Sequence, residues 1–325
     1  MNKTEDTTKE LKDIERCSRG SDDTTYTITG PLQRSPSKWV KVLQSGSFKT
    51  AFFRFLMQEW TEHADVDVLS GHGIYLALEE ECYRYSVQDQ QILREEINDL
   101  VCTHEEADTC VLYYLHSILQ VGSEQSIVIR SYDTDVFILL LYHVSHFEAS
   151  TKVWMDVGHS GNITRRYIGV SQLAEEFPQS MIDALPALHA FTGSDYTASF
   201  LGKGKVKPLN LMSKNPEYCS AFANLGNAEV PEPNDVALIE KFTCTLYELP
   251  KLTKVNDARL ALFQLKYAPK QKDKPLKKIR ETDPSSMFPC HKVLIHKILR
   301  TNYVAYLWKH AARSTPTALD PLTEG

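Results

Sequence analysis

No stretch of this 325-residue chain is apolar for long enough to cross a membrane: the longest such run, Val136 to Tyr142, falls far short of the roughly 20 residues a helical span requires. Asn2 to Ser21 is charged throughout and lacks the apolar segment of a secretory leader. An intracellular place, nuclear or cytoplasmic, with no signal peptide and no membrane partner, is therefore expected. The 7 cysteines are an odd set with no Cys-x-x-Cys pair and no zinc spacing, and they read as reduced structural thiols of a cytosolic or nuclear protein. Positive charge is not in excess either: 36 Lys and Arg against 42 Asp and Glu leave −6. The field of the whole molecule thus offers nucleic acid no general attraction, and such a partner must be held by a local basic patch or through metal. No Ser-His-Asp or Cys-His arrangement and no internal repeat is legible.

What is present is a folding composition, 42% hydrophobic and 10% aromatic. Residues 1–36 are polar, with a helical piece from Thr7 to Cys17. Ser37 is placed to cap a first helix, and Ser47 a second whose Phe48, Ala51, Phe52, Phe55, Leu56 and Trp60 form one core-facing stripe. Ile74 to Leu78 is nearly continuous in apolar residues, as a strand buried in a parallel sheet would be, and Glu79 to Asp99 reads as a surface loop and helix. Thr103 and Glu106 have capping-box spacing ahead of a helical pattern to Leu119. Ile127 to Ile129 reads as a central strand, Val136 to Tyr142 as helix or strand, and Val153 to Met155 as a strand that returns near Tyr167 after a turn at Gly158 to Asn162. Helices opened by Ser171 and Ser180 follow, and the last third is helical. Strands alternating with helices predict an α/β fold, a mostly parallel central sheet flanked by helices.

Acidic residues recur where elements begin or end. Glu106 and Asp108 stand at a helix head, Asp133 and Asp135 follow a strand, and Asp195 sits in a Gly-Ser-Asp turn. Gathering like charges is costly unless something positive offsets them. Hard divalent cations take oxygen ligands, and two of them about 3.5–4 Å apart would clamp the attacking water and leaving oxygen of a phosphodiester without any protein nucleophile. Beyond Asp195 the turn Gly202-Lys203-Gly204-Lys205 combines backbone freedom, N–H donors and positive charge, the ingredients of a phosphate contact. Basic glycine turns are also common as solvated loops, and the basic stretch Lys270 to Lys278 reads most simply as a solvated linker. Asp133-Thr134-Asp135 taken alone has two other readings, a capped turn and the Asp-x-Asp nucleophile motif of haloacid-dehalogenase phosphatases.

At Glu106-Ala107-Asp108-Thr109-Cys110, Asp133-Thr134-Asp135 and Thr192-Gly193-Ser194-Asp195-Tyr196, in this order and spacing, the chain resembles the flap-endonuclease/XPG class of PIN-like nucleases, and more closely a set of uncharacterised multicopy animal proteins built on that fold. The resemblance implies a Mg²⁺- or Mn²⁺-dependent, structure-selective nuclease. Glu106, Asp108, Asp133, Asp135 and Asp195 would be metal ligands, with Glu105 in reserve and Asp133 and Asp135 central to catalysis. A helix–two-turn–helix element would use Gly202, Lys203, Gly204 and Lys205 to grip nucleic acid, DNA in preference to RNA, with K⁺ at the Gly202 to Gly204 turn. Lys9 and Arg16 match the family's basic catalytic pair, whereas the strands that carry the family's N-terminal Asp ligands have no counterpart. The expected segments are a polar 1–36, a PIN-like α/β domain over 37–200 with an incomplete N-terminal half, the helix–two-turn–helix and its helical extension over 201–268, a basic linker over 269–290, and a helix with tail over 291–325. The incomplete half gives the alternative: a catalytically inactive, nuclease-derived module that binds nucleic acid or protein.

Overall fold

The computed structural model describes residues 27–43, 45–63, 65–104, 106–120, 126–158, 165–267 and 287–315. Lys9, Arg16, Glu105, the helical piece Thr7 to Cys17 and the basic linker lie outside the described residues. Two compact units divide the chain, Met1–Cys110 and Val111–Gly325, a boundary absent from the expected segmentation.

The first unit begins with helices α1 (Trp39–Val42), α2 (Gly46–His63) and α3 (Val66–Leu69). On α2 the predicted stripe is only partly core: Phe48 is buried and stacks on Phe52, Ala51, Phe52, Phe55, Leu56 and Trp60 are half-buried, Trp60 meets Tyr85 edge to face, and the other buried residue of the helix is Met57, outside that stripe. The hydroxyl accepting the N–H of Phe48 belongs to Ser45 rather than Ser47. The following strands β1 (Ile74–Leu78), β2 (Glu81–Gln88) and β3 (Gln91–Glu96) form an antiparallel meander. This overturns two expectations. Ile74 to Leu78 is a strand, but an edge strand of an antiparallel sheet, and the expected loop and helix of Glu79 to Asp99 are mostly two further strands. The hairpin turns use Glu79, Asp89 and Gln90 at positive φ, where glycine or asparagine is the usual marker, so the turn signal is missing from the sequence.

The second unit takes its first element from α4 (Ala107–Leu119), whose opening turn is counted with the first unit but whose backbone is one continuous helix. That helix starts well after Thr103, so the expected capping box does not form. Then come β4 (Ser126–Arg130), α5 (Thr134–Val144), β5 (Lys152–Asp156), β6 (Tyr167–Gly169), α6 (Val170–Glu175) and α7 (Gln179–Thr192). β4 and β5 pair in parallel, while β6 returns antiparallel to β5, as expected. Ser171 caps no helix; its hydroxyl accepts from Val153 N–H and donates to Thr151 carbonyl, tying α6 to the sheet. The chain is thus mixed α/β: among the described residues, twelve helices accompany two three-stranded sheets, and β4–β5 is the one parallel pair. Among the described residues there is no clear central parallel sheet.

Helices α8 (Val206–Ser213), α9 (Pro216–Asn224), α10 (Pro233–Leu246), α11 (Val255–Tyr267) and α12 (His291–Lys309) complete the unit. From Ala184 to Thr192 every residue of α7 is buried. One side packs with Phe222, Phe242 and Ile298, the other with Leu139, Met155 and Trp308, so α7 belongs to both cores. None of these helices, nor any other among the described residues, is long and apolar enough to cross a membrane.

Three helices are joined by a polar pair inside the second core. His116 on α4 and His143 on α5 face each other with Nε2 and Nδ1 2.9 Å apart, and Nε2 of His143 lies 2.9 Å from the Trp308 carbonyl of α12. Burial drives both imidazoles down, His116 to about 4 and His143 to about 3. Folded His143 therefore refuses a proton that the unfolded chain accepts once the pH drops below the ordinary imidazole range. Stability contributed by the neutral pair is complete above that range and is lost on acidification, by about 1.4 kcal/mol per histidine for each pH unit crossed. Urea midpoints measured from pH 7 to pH 4 are expected to fall, and His143→Gln to flatten that fall.

Candidate metal centre

The site is built on the edge where β4 and β5 end together, because parallel strands deliver their C-terminal ends to one side. After Arg130 the chain turns through Ser131 and Tyr132 into α5. Ser131 Oγ accepts from Asp133 N–H, and Asp133 is the N-cap of α5, its Oδ1 accepting from Asp135 N–H at 2.8 Å. Asp135 stands in the first turn of the same helix, and Asp108 in the first turn of α4. Both positions suit acids, since the exposed N–H groups of a helix start carry partial positive charge.

The result is a group of three. One carboxylate oxygen from each of Asp108, Asp133 and Asp135 lies within 4.8 Å of the others, with Asp133 exposed and the other two half-buried. An oxygen-coordinated Mg²⁺ spans about 4.2 Å between opposite ligands and Ca²⁺ about 4.8 Å, from bond lengths of about 2.1 and 2.4 Å. One divalent cation can therefore meet all three carboxylates with at most small side-chain movements. Asp133 uses Oδ1 as a cap and Asp135 uses Oδ1 for His189, so each has its second oxygen to offer.

His189 is a residue that sequence reasoning missed. It lies on the buried face of α7, 7% exposed, with Nε2 2.7 Å from Asp135 Oδ1. A ligand carboxylate held from behind by an imidazole N–H is the usual support for a metal site, because it fixes which oxygen faces the ion. The signal was present as a lone polar residue within Ala187-Leu188-His189-Ala190-Phe191. Two helix starts and this N–H also lower the cost of gathering three charges, so the fold does not require a cation to hold the group together.

Other expected ligands lie apart from this group. Among the described residues the cluster that a cation could bridge does not include Glu106 or Asp195. Glu106 precedes α4 and its carbonyl accepts from the Thr109 hydroxyl. Asp195 is exposed in the turn after α7, where Ser194 and Thr197 exchange backbone hydrogen bonds. Gly193 has φ 127° and a Cβ there would press on Ser199, so the Gly-Ser-Asp turn requires its glycine.

Gly202 and Gly204 take φ of 70° and 52° in an exposed turn with open space where a Cβ would stand. With Thr192, Ser194, Thr197 and Lys205 they line an open depression of about 560 Å³. The lysines of this turn face inward or pair locally. Lys205 Nζ lies 3.0 Å from the His189 carbonyl and 2.5 Å from that of Gly193, closing the C-terminal end of α7. Burial lowers its pKa, against the pull of the Asp135 carboxylate. Lys203 Nζ sits 4.5 Å from the centre of the Tyr247 ring, and Lys207 pairs with Glu248 at 2.6 Å.

Comparison with protein-family models, with curated proteins and with solved structures returns no match.

Two expectations follow from this geometry. Asp133→Ala removes an N-cap and lowers unfolding free energy by about 1 kcal/mol, whereas Asp133→Asn, which still caps, leaves it nearly unchanged in urea titrations. Mn²⁺ titration raises the melting temperature of the wild-type chain, and Asp108→Asn with Asp135→Asn removes that rise.

Proposed function

We propose that this chain hydrolyses nucleic-acid phosphodiester bonds with a divalent cation, Mg²⁺ or Mn²⁺, held by Asp108, Asp133 and Asp135. The observation that carries the reading is the convergence of three carboxylates from two helix starts beside the end of a parallel strand pair, with His189 behind one of them. The donor set fits the group: it is all oxygen, the choice of hard cations, and each of Asp133 and Asp135 has one oxygen left over from its structural bond. Held by Asp108, Asp133 and Asp135, a divalent ion would supply a water of lowered pKa and offset charge on the phosphate. The chain's own part is to hold that position. Asp133 is fixed by the N-terminal turn of α5, Asp135 by the imidazole of His189, and Asp108 stands in the first turn of α4.

The likeness of these motifs to flap-endonuclease/XPG-type PIN-like nucleases belongs to the same proposal, as does contact between the Gly202 and Gly204 turn and the nucleic-acid backbone, with K⁺ as its cation. Positive φ at both glycines supports that contact. A second reading, a nuclease-derived module without catalysis, is favoured by the position of Glu106 and Asp195 outside the group and by the local pairing of Lys203, Lys205 and Lys207.

Cleavage of 5′-flap and single-stranded substrates with Mg²⁺ or Mn²⁺ separates the two. Expected are metal-dependent cutting, its loss in Asp133→Asn with Asp135→Asn, and a fall of about 10- to 100-fold in His189→Ala through the misplaced carboxylate. No cutting, with salt-sensitive binding retained, identifies the non-catalytic module.

A further inference from the structure

Beside the acidic group, the same sheet edge carries a second and chemically different cluster. Arg130, Asp156 and Tyr167 lie in a row, one from each strand, because Arg130 pairs with Asp156 in the parallel register and Asp156 with Tyr167 in the antiparallel one. Tyr132 comes from the turn after β4, and Arg165 and Arg166 from the chain entering β6.

Asp156 anchors the cluster. Its side chain is wholly buried, Oδ2 lies 2.7 Å from Arg165 Nε and 2.5 Å from Nη2, and Oδ1 accepts from Gly158 N–H. The Arg165 guanidinium holds this carboxyl below the ordinary range, with Gly158 N–H and Arg130 adding to the effect. Fixed from below, the guanidinium lies with its carbon 5.6 Å from the centre of the Tyr167 ring. Tyr132 lies against the backbone of Gly158, where φ is 69° and a Cβ would run into the ring. Both rings nevertheless face solvent, Tyr132 at 67% and Tyr167 at 47% exposure.

Two tyrosines that bury so little of themselves contribute little to the core, yet each is held in place from one side. Arg130 and Arg165 outnumber the buried Asp156 here, and their positive charge stands next to the carboxylates of the acidic group. Fixed exposed rings interleaved with arginines are the surface that takes unpaired bases: rings stack on base faces regardless of sequence, and arginines meet the phosphates between them. A duplex keeps its base faces covered and offers such rings nothing. Tyr132 is also bonded directly to Asp133, so a base on Tyr132 places its neighbouring phosphate next to the acidic group.

We propose that Tyr132 and Tyr167 form a stacking platform for single-stranded nucleic acid, with Arg130 on its phosphates. The placement of the strand's phosphate at the acidic group rests on the nuclease reading; the stacking itself does not.

The test is binding without cleavage. Fluorescence anisotropy in EDTA compares a short labelled oligo-dT, its blunt duplex with oligo-dA, and oligo-U, for the wild-type chain and for Tyr132→Ala, Tyr167→Ala, the double variant and Tyr132→Phe. Expected is single-strand binding about tenfold or more tighter than duplex binding, a loss of about fivefold or more in each alanine variant, a larger loss in the double variant, and near wild-type affinity in Tyr132→Phe. A tyrosine-dependent preference for oligo-U over oligo-dT supports the platform and identifies RNA as the strand. Equal or tighter duplex binding, or a double variant with unchanged melting temperature that binds oligo-dT like the wild type, overturns the proposal. Because no divalent metal is present, a failure here leaves the cleavage assay free to succeed, and absence of cleavage leaves this measurement unaffected.

Discussion

The C-terminal half of α7 is buried, and most of its last carbonyls must find donors within the chain. Leaving buried carbonyls unpaired costs on the order of a kilocalorie per mole or more each. The chain supplies donors from three places. Thr192 Oγ1 turns back onto the Leu188 carbonyl, Thr197 Oγ1 donates to that of Ala190, and Lys205 Nζ reaches the carbonyls of His189 and Gly193. The turn from Thr192 to Lys205 is thus wound around a helix end, and its two features that look functional in sequence, the Gly-Ser-Asp turn and the basic glycine turn, are also the closure of α7.

Fixing α7 fixes His189, and through it Asp135. The acidic group therefore inherits its geometry from the packing of a helix that contributes none of the three carboxylates. It also explains how like charges can stand so close. Each acid occupies a helix cap or first turn, where the local dipole is positive, and one of them accepts from an imidazole. Structural and metal-binding roles draw on different oxygens of the same residues: at Asp133 and Asp135, Oδ1 serves the fold and the other oxygen serves the site.

Much of the second unit was legible because its signals are local. Alternation, helical spacing and turn residues placed β4, β5, β6 and the helices around them, and acids at strand ends pointed to the edge where Asp133 and Asp135 stand. The first unit was read less well for a physical reason. Its hairpins bend at Glu79 and at Asp89-Gln90, residues that give no turn signal, and acidic, glutamine-rich strands imitate loop sequence. Capping was misplaced at Ser37, Ser47, Thr103, Ser171 and Ser180, the helices at Ser37 and Ser180 having Lys38 and Pro178 as N-caps instead, because a hydroxyl near a helix start has several carbonyls and N–H groups within reach, and packing chooses among them. Nothing local could show His189 meeting Asp135, or Asp156 gathering Arg165: those partners are set by tertiary contact. Of the five acids grouped by motif, proximity holds for Asp108, Asp133 and Asp135, while Glu106 and Asp195 lie outside that group.

The buried histidine pair has one more property, an orientation. A carbonyl oxygen can only accept, so the Nε2 of His143 that faces Trp308 must bear the hydrogen, which in a neutral ring leaves Nδ1 bare. Nδ1 then accepts, and His116 must present its own hydrogen at Nε2. One backbone oxygen at the end of α12 thereby dictates the tautomer of two rings on two other helices, and the polarity runs in a single sense from α4 through α5 to α12. A replacement at position 143 can substitute for the imidazole only if it takes with one end and gives with the other.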